Sequence, residues 1–166
     1  MEFALNRCDP AADDSCVFRC TREFFCAPCT PFYQRTLMVW FIALGSAAGG
    51  ALRFLLGTLI QQRVGGTFPM GTLLINISGS LLLGFLLRYA LATPAISPEL
   101  RGLLTSGFCG GYTTFSTFSL ETVSMVEEGD YRRAAIYVLA SVILSLIGAY
   151  LGIVLARETL ALRERM

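Results

Sequence analysis

Residues 107–119 read Gly107-Phe108-Cys109-Gly110-Gly111-Tyr112-Thr113-Thr114-Phe115-Ser116-Thr117-Phe118-Ser119. They sit inside a longer stretch, 102–120, that contains no charged residue. The absence of charge suits a lipid environment, but three glycines and a run of hydroxyls do not suit a continuous helix. In lipid, irregular backbone survives only where it is buried in protein or lines a polar cavity. The stretch therefore predicts a membrane span over about Glu99 to Val126, broken near Gly110–Thr113. Such a break releases carbonyl oxygens, and carbonyls of broken membrane helices coordinate cations. The competing expectation is an unbroken helix whose Ser and Thr side chains bond back to the preceding turn.

The rest of the chain carries the same signal. Residues 64–87 and 134–156 are also free of charge, and 36–62 hold only Arg53. A spanning helix needs about 20 mainly apolar residues at 1.5 Å rise each. Four stretches of the 166 residues meet that length. Charged residues are 15% of the chain, against roughly 25% in soluble domains. The expected fold is therefore an all-α integral membrane protein of four transmembrane helices. With thirteen arginines, no lysine and twelve acids the net charge is +1, which excludes an electrostatic nucleic-acid binder. No histidine is present, so histidine catalysis and histidine metal ligation are excluded.

Two divisions are expected, residues 1–37 and a four-helix transmembrane domain over 38–166. The first part holds Cys8, Cys16, Cys20, Cys26 and Cys29 and five of the twelve acids, without an apolar run that would serve as a signal-peptide core. Cys26 and Cys29 have CxxC spacing, but no second such pair follows, so a zinc knot is weakly supported. The plainer expectation is a disordered extension, or sequence upstream of a start at Met38.

Span one runs from about Val39 to Gln61, with Gly45 and Gly49 as a GxxxG pair that admits a close neighbour. Arg53 lies inside it, where a charge costs roughly 2.5–3.5 kcal/mol on insertion scales. It either snorkels to the interface or attracts anions at a water-filled vestibule. Span two, about Gly71 to Ala92, sets Thr72, Asn76, Ser80 and Gly84 on one helical face. Asn76 needs amide partners there. Ser97 and Pro98 read as N-cap and first residue of the third span. Phe115 and Phe118 share a face, and ring edges carry partial positive charge that favours a small anion. Glu121 lies one turn beyond, at an interface or a vestibule. Span four, about Ala134 to Ala156, aligns Tyr137, Ser141 and Ser145, continued by Gly148 and Gly152.

No nucleophile–base pair, intramembrane carboxylate dyad or phosphate loop is present, so an enzyme is not expected. Neutral donors along helical faces suit a path that replaces an ion's hydration shell. Four short spans enclose little interior, so assembly is expected. Arginines divide weakly between the two sides, with Arg88, Arg101, Arg157, Arg163 and Arg165 against Arg63, Arg132 and Arg133. That weak bias permits insertion both ways.

The segments Gly49-Gly50-Ala51-Leu52-Arg53-Phe54, Gly71-Thr72-Leu73-Leu74-Ile75-Asn76-Ile77-Ser78-Gly79 and residues 107–118 resemble the CrcB/Fluc family of fluoride channels, over Met38 to about Ala156. The resemblance implies an antiparallel, dual-topology homodimer with two pores in the cell inner (plasma) membrane. It implies a structural Na+ at the dimer centre, on backbone carbonyls of Gly110 and Thr113. It places Asn76, Phe115, Phe118, Thr117, Ser141 and Ser145 along the pore with Tyr137 nearby, and Arg53 in the vestibule. The implied role is passive export of cytoplasmic fluoride. Two rivals are a small multidrug-type dual-topology transporter, disfavoured because span one carries no acid, and an accessory membrane subunit without transport.

Overall fold

The computed structural model describes residues 32–165. The cysteine-rich segment, with its candidate zinc knot, lies outside them. Every regular element of the described residues is helical, with no strand among them.

Helix α1 covers Phe32–Val64 and α2 Met70–Ala92. A helical rod then runs through α3 (Pro98–Gly102), a π-helical segment (Leu103–Cys109) and α4 (Gly110–Tyr112). Two extended residues follow, and α5 (Phe115–Glu127) and α6 (Tyr131–Glu164) complete the chain. Among the described residues, three helices are long and apolar enough to cross a membrane, over Thr36–Val64, Met70–Ala92 and Tyr131–Arg163; the expected span from Glu99 to Val126 is divided among shorter segments. The 23 residues of α2 alone measure about 35 Å, enough to span a hydrocarbon core of about 30 Å.

Large apolar side chains point outward. Leu44, Phe54, Leu120, Leu146 and Tyr150 are all exposed. The interior is built instead from small residues and a few aromatic and aliphatic ones, among them Leu73, Phe118, Met125, Ala134 and Tyr137. That inversion has a physical reason. Lipid gives no hydrophobic drive to bury leucine, so helices associate where small residues let backbones meet.

The glycines show where. A Cβ at Gly45 would collide with the Leu103 carbonyl, and one at Gly49 with the Phe108 carbonyl. The GxxxG pair of α1 therefore meets the π segment directly. Gly152 and Gly84 seat α6 and α2 together, against the backbones of Leu81 and Ala149 respectively. Gly71 seats α2 against the backbone of Gly57.

Helix starts follow their caps. Ser97 Oγ accepts from the Leu100 amide at 3.3 Å, with Pro98 in the first turn, as the sequence predicts. Asp130 Oδ1 accepts from the Arg133 amide at 3.1 Å, and its other oxygen pairs with the Arg133 guanidinium at 3.1 Å. Each such cap is worth about 1 kcal/mol.

Two features differ in detail from the sequence reading. The π segment carries no clear sequence signal. It is a widened turn pressed on α1, where Ser46 Oγ donates to the Gly107 carbonyl at 3.4 Å. The interruption falls at Thr113 and Thr114, both extended, whereas Gly110–Tyr112 remain helical. The glycines serve proximity here: a Cβ at Gly111 would meet the Ser46 backbone.

Candidate functional site

The interruption is held by α2. Asn76 spans it with both ends of its amide: Oδ1 accepts from the Thr114 amide at 2.8 Å, and Nδ2 donates to the Thr114 carbonyl at 3.1 Å. A continuous helix would aim that Thr114 amide at the Gly110 carbonyl. The Gly110 carbonyl is thereby left without its helical donor, next to the unpaired carbonyls that end any helix. Ser78 Oγ lies 3.1 Å from the Tyr112 hydroxyl, so α2 grips both flanks of the interruption.

Thr114 also starts α5. Its Oγ1 accepts from the Thr117 amide at 3.2 Å and donates to Thr117 Oγ1 at 3.0 Å. The carbonyl-rich end of α4 thus faces the amide-rich start of α5. The first favours cations and the second anions.

Along α5, Thr114, Thr117, Glu121, Ser124 and Glu128 recur at steps of three and four residues. All five line one cavity of about 910 Å³. Arg53 and Gln61 of α1 and Thr72 of α2 line it as well. Arg53 is half-buried and makes no ion pair among the described residues. Arg53 thus shares the wall of a mainly apolar cavity with the polar stripe of α5, which includes Glu121 and Glu128.

Glu121 is the centre of a hydrogen-bonded cluster. Thr72 Oγ1 donates to its Oε1 at 2.8 Å, and the Tyr137 hydroxyl donates to its Oε2 at 2.6 Å. Three helices meet in those two bonds. Tyr137 is fully buried. Its ring lies 5.2 Å from that of Phe118, and Phe118 lies 5.5 Å from Phe115. One turn along α6, the Ser141 hydroxyl is buried without a hydrogen-bond partner. An unpartnered hydroxyl in such a place is an open donor, since burying one unpaired costs free energy.

The sequence-predicted residues thus divide. Asn76, Thr117, Phe118, Tyr137 and Ser141 gather around Glu121 and the start of α5. Ser145, a further turn along α6, is half-buried. Phe115 is 78% exposed and turns its ring to the outside of the protomer. Gly110 is exposed, with open space where a Cβ would stand. Thr113 Oγ1 donates to the Cys109 carbonyl at 3.0 Å, and its methyl packs at Gly79.

Sequence reasoning missed the Thr114 anchor and left Glu121 between two roles. The three-and-four spacing from Thr114 to Glu128 was legible and would have placed them on one face. Gln61 gave no signal, because its partners are backbone groups of a loop and of the start of α2.

The sequence profile of the family described as "CrcB-like protein, Camphor Resistance (CrcB)" matches residues 40–153. The chain belongs to this family. The match takes in α1 from Trp40, α2, the interrupted rod, α5 and most of α6, so every element of the site lies within it. The fluoride-specific ion channel FluC of Coxiella burnetii (strain Dugway 5J108-111) is 46% identical over 121 residues, which are 72% of this chain and 98% of that protein. The fluoride-specific ion channel FluC of Rhizobium meliloti (strain 1021) is 42% identical over 116 residues, 70% of this chain and 93% of its own length. That of Geobacter sulfurreducens is 46% identical over 117 residues, 70% and 94% respectively. With its apolar spanning helices, this CrcB-family chain is a multi-pass membrane protein.

Proposed function

We propose that this protein is a fluoride-selective channel of the plasma membrane, not an enzyme, and that it lets cytoplasmic fluoride leave passively. Hydrogen fluoride enters cells as a neutral acid and dissociates inside, so an anion exit keeps the internal level low. The observation that carries the reading is the polar face of α5, lining a cavity with Arg53 in its wall. The names of its relatives support the same ion.

Neutral donors suit fluoride. The ion is strongly hydrated, and leaving water requires replacement hydrogen bonds. Thr117 of α5 and Ser141 and Ser145 of α6 offer hydroxyls, and the Asn76 amide lies at the start of α5. None carries a fixed positive charge that would trap the anion. Phe115 and Phe118 offer ring edges with partial positive charge. Arg53 draws anions to the mouth.

The finer architecture belongs to the same proposal. The rod from Pro98, its interruption and α5 form the third of four spans. Two copies assemble antiparallel as a dual-topology homodimer with two pores. Support comes from the outward-facing Phe115 ring and from the open space at Gly110. A second copy would cover both. The carbonyls of Gly110 and Thr113 fit a Na+ ion, since hard cations take oxygen ligands and the Gly110 oxygen has lost its helical donor. Such an ion would supply a fixed positive charge binding two interruptions together.

The test is fluoride efflux from liposomes holding the purified protein, read with a fluoride electrode, with chloride as control. Fast efflux of fluoride alone is expected. A folded protein that passes no fluoride overturns the proposal and favours an accessory subunit.

A further inference from the structure

The turn between α1 and α2 contains Gly65 and Gly66 in succession, at φ +67° and +78°. Nothing lies within 4 Å of where their side chains would stand. Backbone of this kind is free to rearrange unless something ties it. The tie is Gln61. Its Nε2 donates to the Gly66 carbonyl at 3.1 Å and to the Phe68 carbonyl at 3.1 Å, and its Oε1 accepts from the Gly71 amide at 3.3 Å. One side chain thereby joins the end of α1, both ends of the turn and the start of α2.

The tied turn has a defined load. Phe68 enters the buried cluster, its ring edge-on to that of Tyr137 at 5.5 Å and 85°. Tyr137 has Phe118 on another side, at 5.2 Å. Its hydroxyl is thereby aimed at Glu121, which it reaches at 2.6 Å. Gln61, Thr67 and Pro69 also form part of the wall of the cavity.

We infer that Gln61 is a positioning residue for anion conduction: it fixes the 65–69 turn so that Phe68 buttresses Tyr137 and holds its hydroxyl on Glu121. Gln61 need not touch the ion. It acts through Phe68, and the inference rests on the channel reading above. Gln61 can do this because a primary amide is both donor and acceptor. Glutamate keeps the acceptor for Gly71 and loses both donors to the turn.

The experiment is a double-mutant cycle in the full chain reconstituted in liposomes. Gln61→Ala and Phe68→Leu are each expected to lower fluoride efflux by roughly three- to tenfold, the range one or two lost hydrogen bonds or contacts convert to. Gln61→Glu should fall on the side of Gln61→Ala. The double variant should be no slower than the slower single one, because both changes remove the same support. A purely structural glutamine would give losses that multiply, and multiplied losses overturn the inference; so does unchanged efflux in Gln61→Ala. If the unmodified protein passes no fluoride, the channel reading fails by itself. The tie is then decided by amide hydrogen exchange over residues 65–71. Faster exchange there in Gln61→Ala keeps the tether, and unchanged exchange removes it.

Discussion

At the residue scale the extended Thr114 is held across from α2 by one side chain. Asn76 satisfies both the amide and the carbonyl of Thr114. Asn76→Asp replaces the Nδ2 donor with an oxygen that faces the Thr114 carbonyl and adds a negative charge beside the anion path. Fluoride efflux should fall at least tenfold, since one lost charge-sensitive contact of about 1.4 kcal/mol is already a decade. Liposome efflux at matched protein density reads this, and equal efflux would take Asn76 off the path. Phe115 gives a complementary prediction. It is 78% exposed and supports little of its own protomer. Phe115→Ile should therefore abolish fluoride efflux while leaving the assembled state unchanged by size-exclusion chromatography. Unchanged efflux would remove this ring from the pore.

At the scale of elements, function depends on how closely helices approach. A Cβ at Gly152 would meet the Leu81 backbone, and one at Gly45 the Leu103 carbonyl. Backbone cannot yield as a flexible side chain can. Gly152→Leu and Gly45→Leu should each destabilise the fold by about 1–3 kcal/mol or more, the usual cost of overpacking. A lowered thermal midpoint in detergent would report it. Gly110→Ala is the contrast, because nothing in the protomer opposes a Cβ there. That variant should keep the protomer's thermal stability and weaken only dimerisation, measured as subunit dissociation on dilution in detergent.

At the scale of the molecule, the proposed homodimer, joined through a shared cation, should depend on that cation. Replacing sodium with a large organic cation, during purification and on both faces of the membrane, should lower efflux and release monomer. Efflux indifferent to sodium would leave the Gly110 and Thr113 carbonyls without that role. Removing residues 1–30 should leave efflux intact, because the described residues of the site all lie between Arg53 and Ser145. A folded truncation that had lost transport would return interest to the cysteines at positions 8 to 29.

The sequence by itself determined what depends on composition along one helix. Uncharged length marked three of the four expected spans, those of α1, α2 and α6. Ser97–Pro98 marked a helix start, and the glycine spacings marked where neighbours come close. Fourfold recurrence put Thr72, Asn76, Ser80 and Gly84 on one face. These are properties of a single element and its solvent, so one strand of sequence contains them. Only the tertiary structure decided which element each face meets. Glu121 became a hub because Thr72 and Tyr137, from helices far apart in sequence, reach its two oxygens. The interruption, expected over Gly110–Thr113, falls at Thr113–Thr114 because Asn76 captures the Thr114 amide, while Gly107 and Gly111 are needed against α1. Gln61 was silent for the same reason: hydrogen bonds to backbone groups leave no trace in the identity of the residues that supply them.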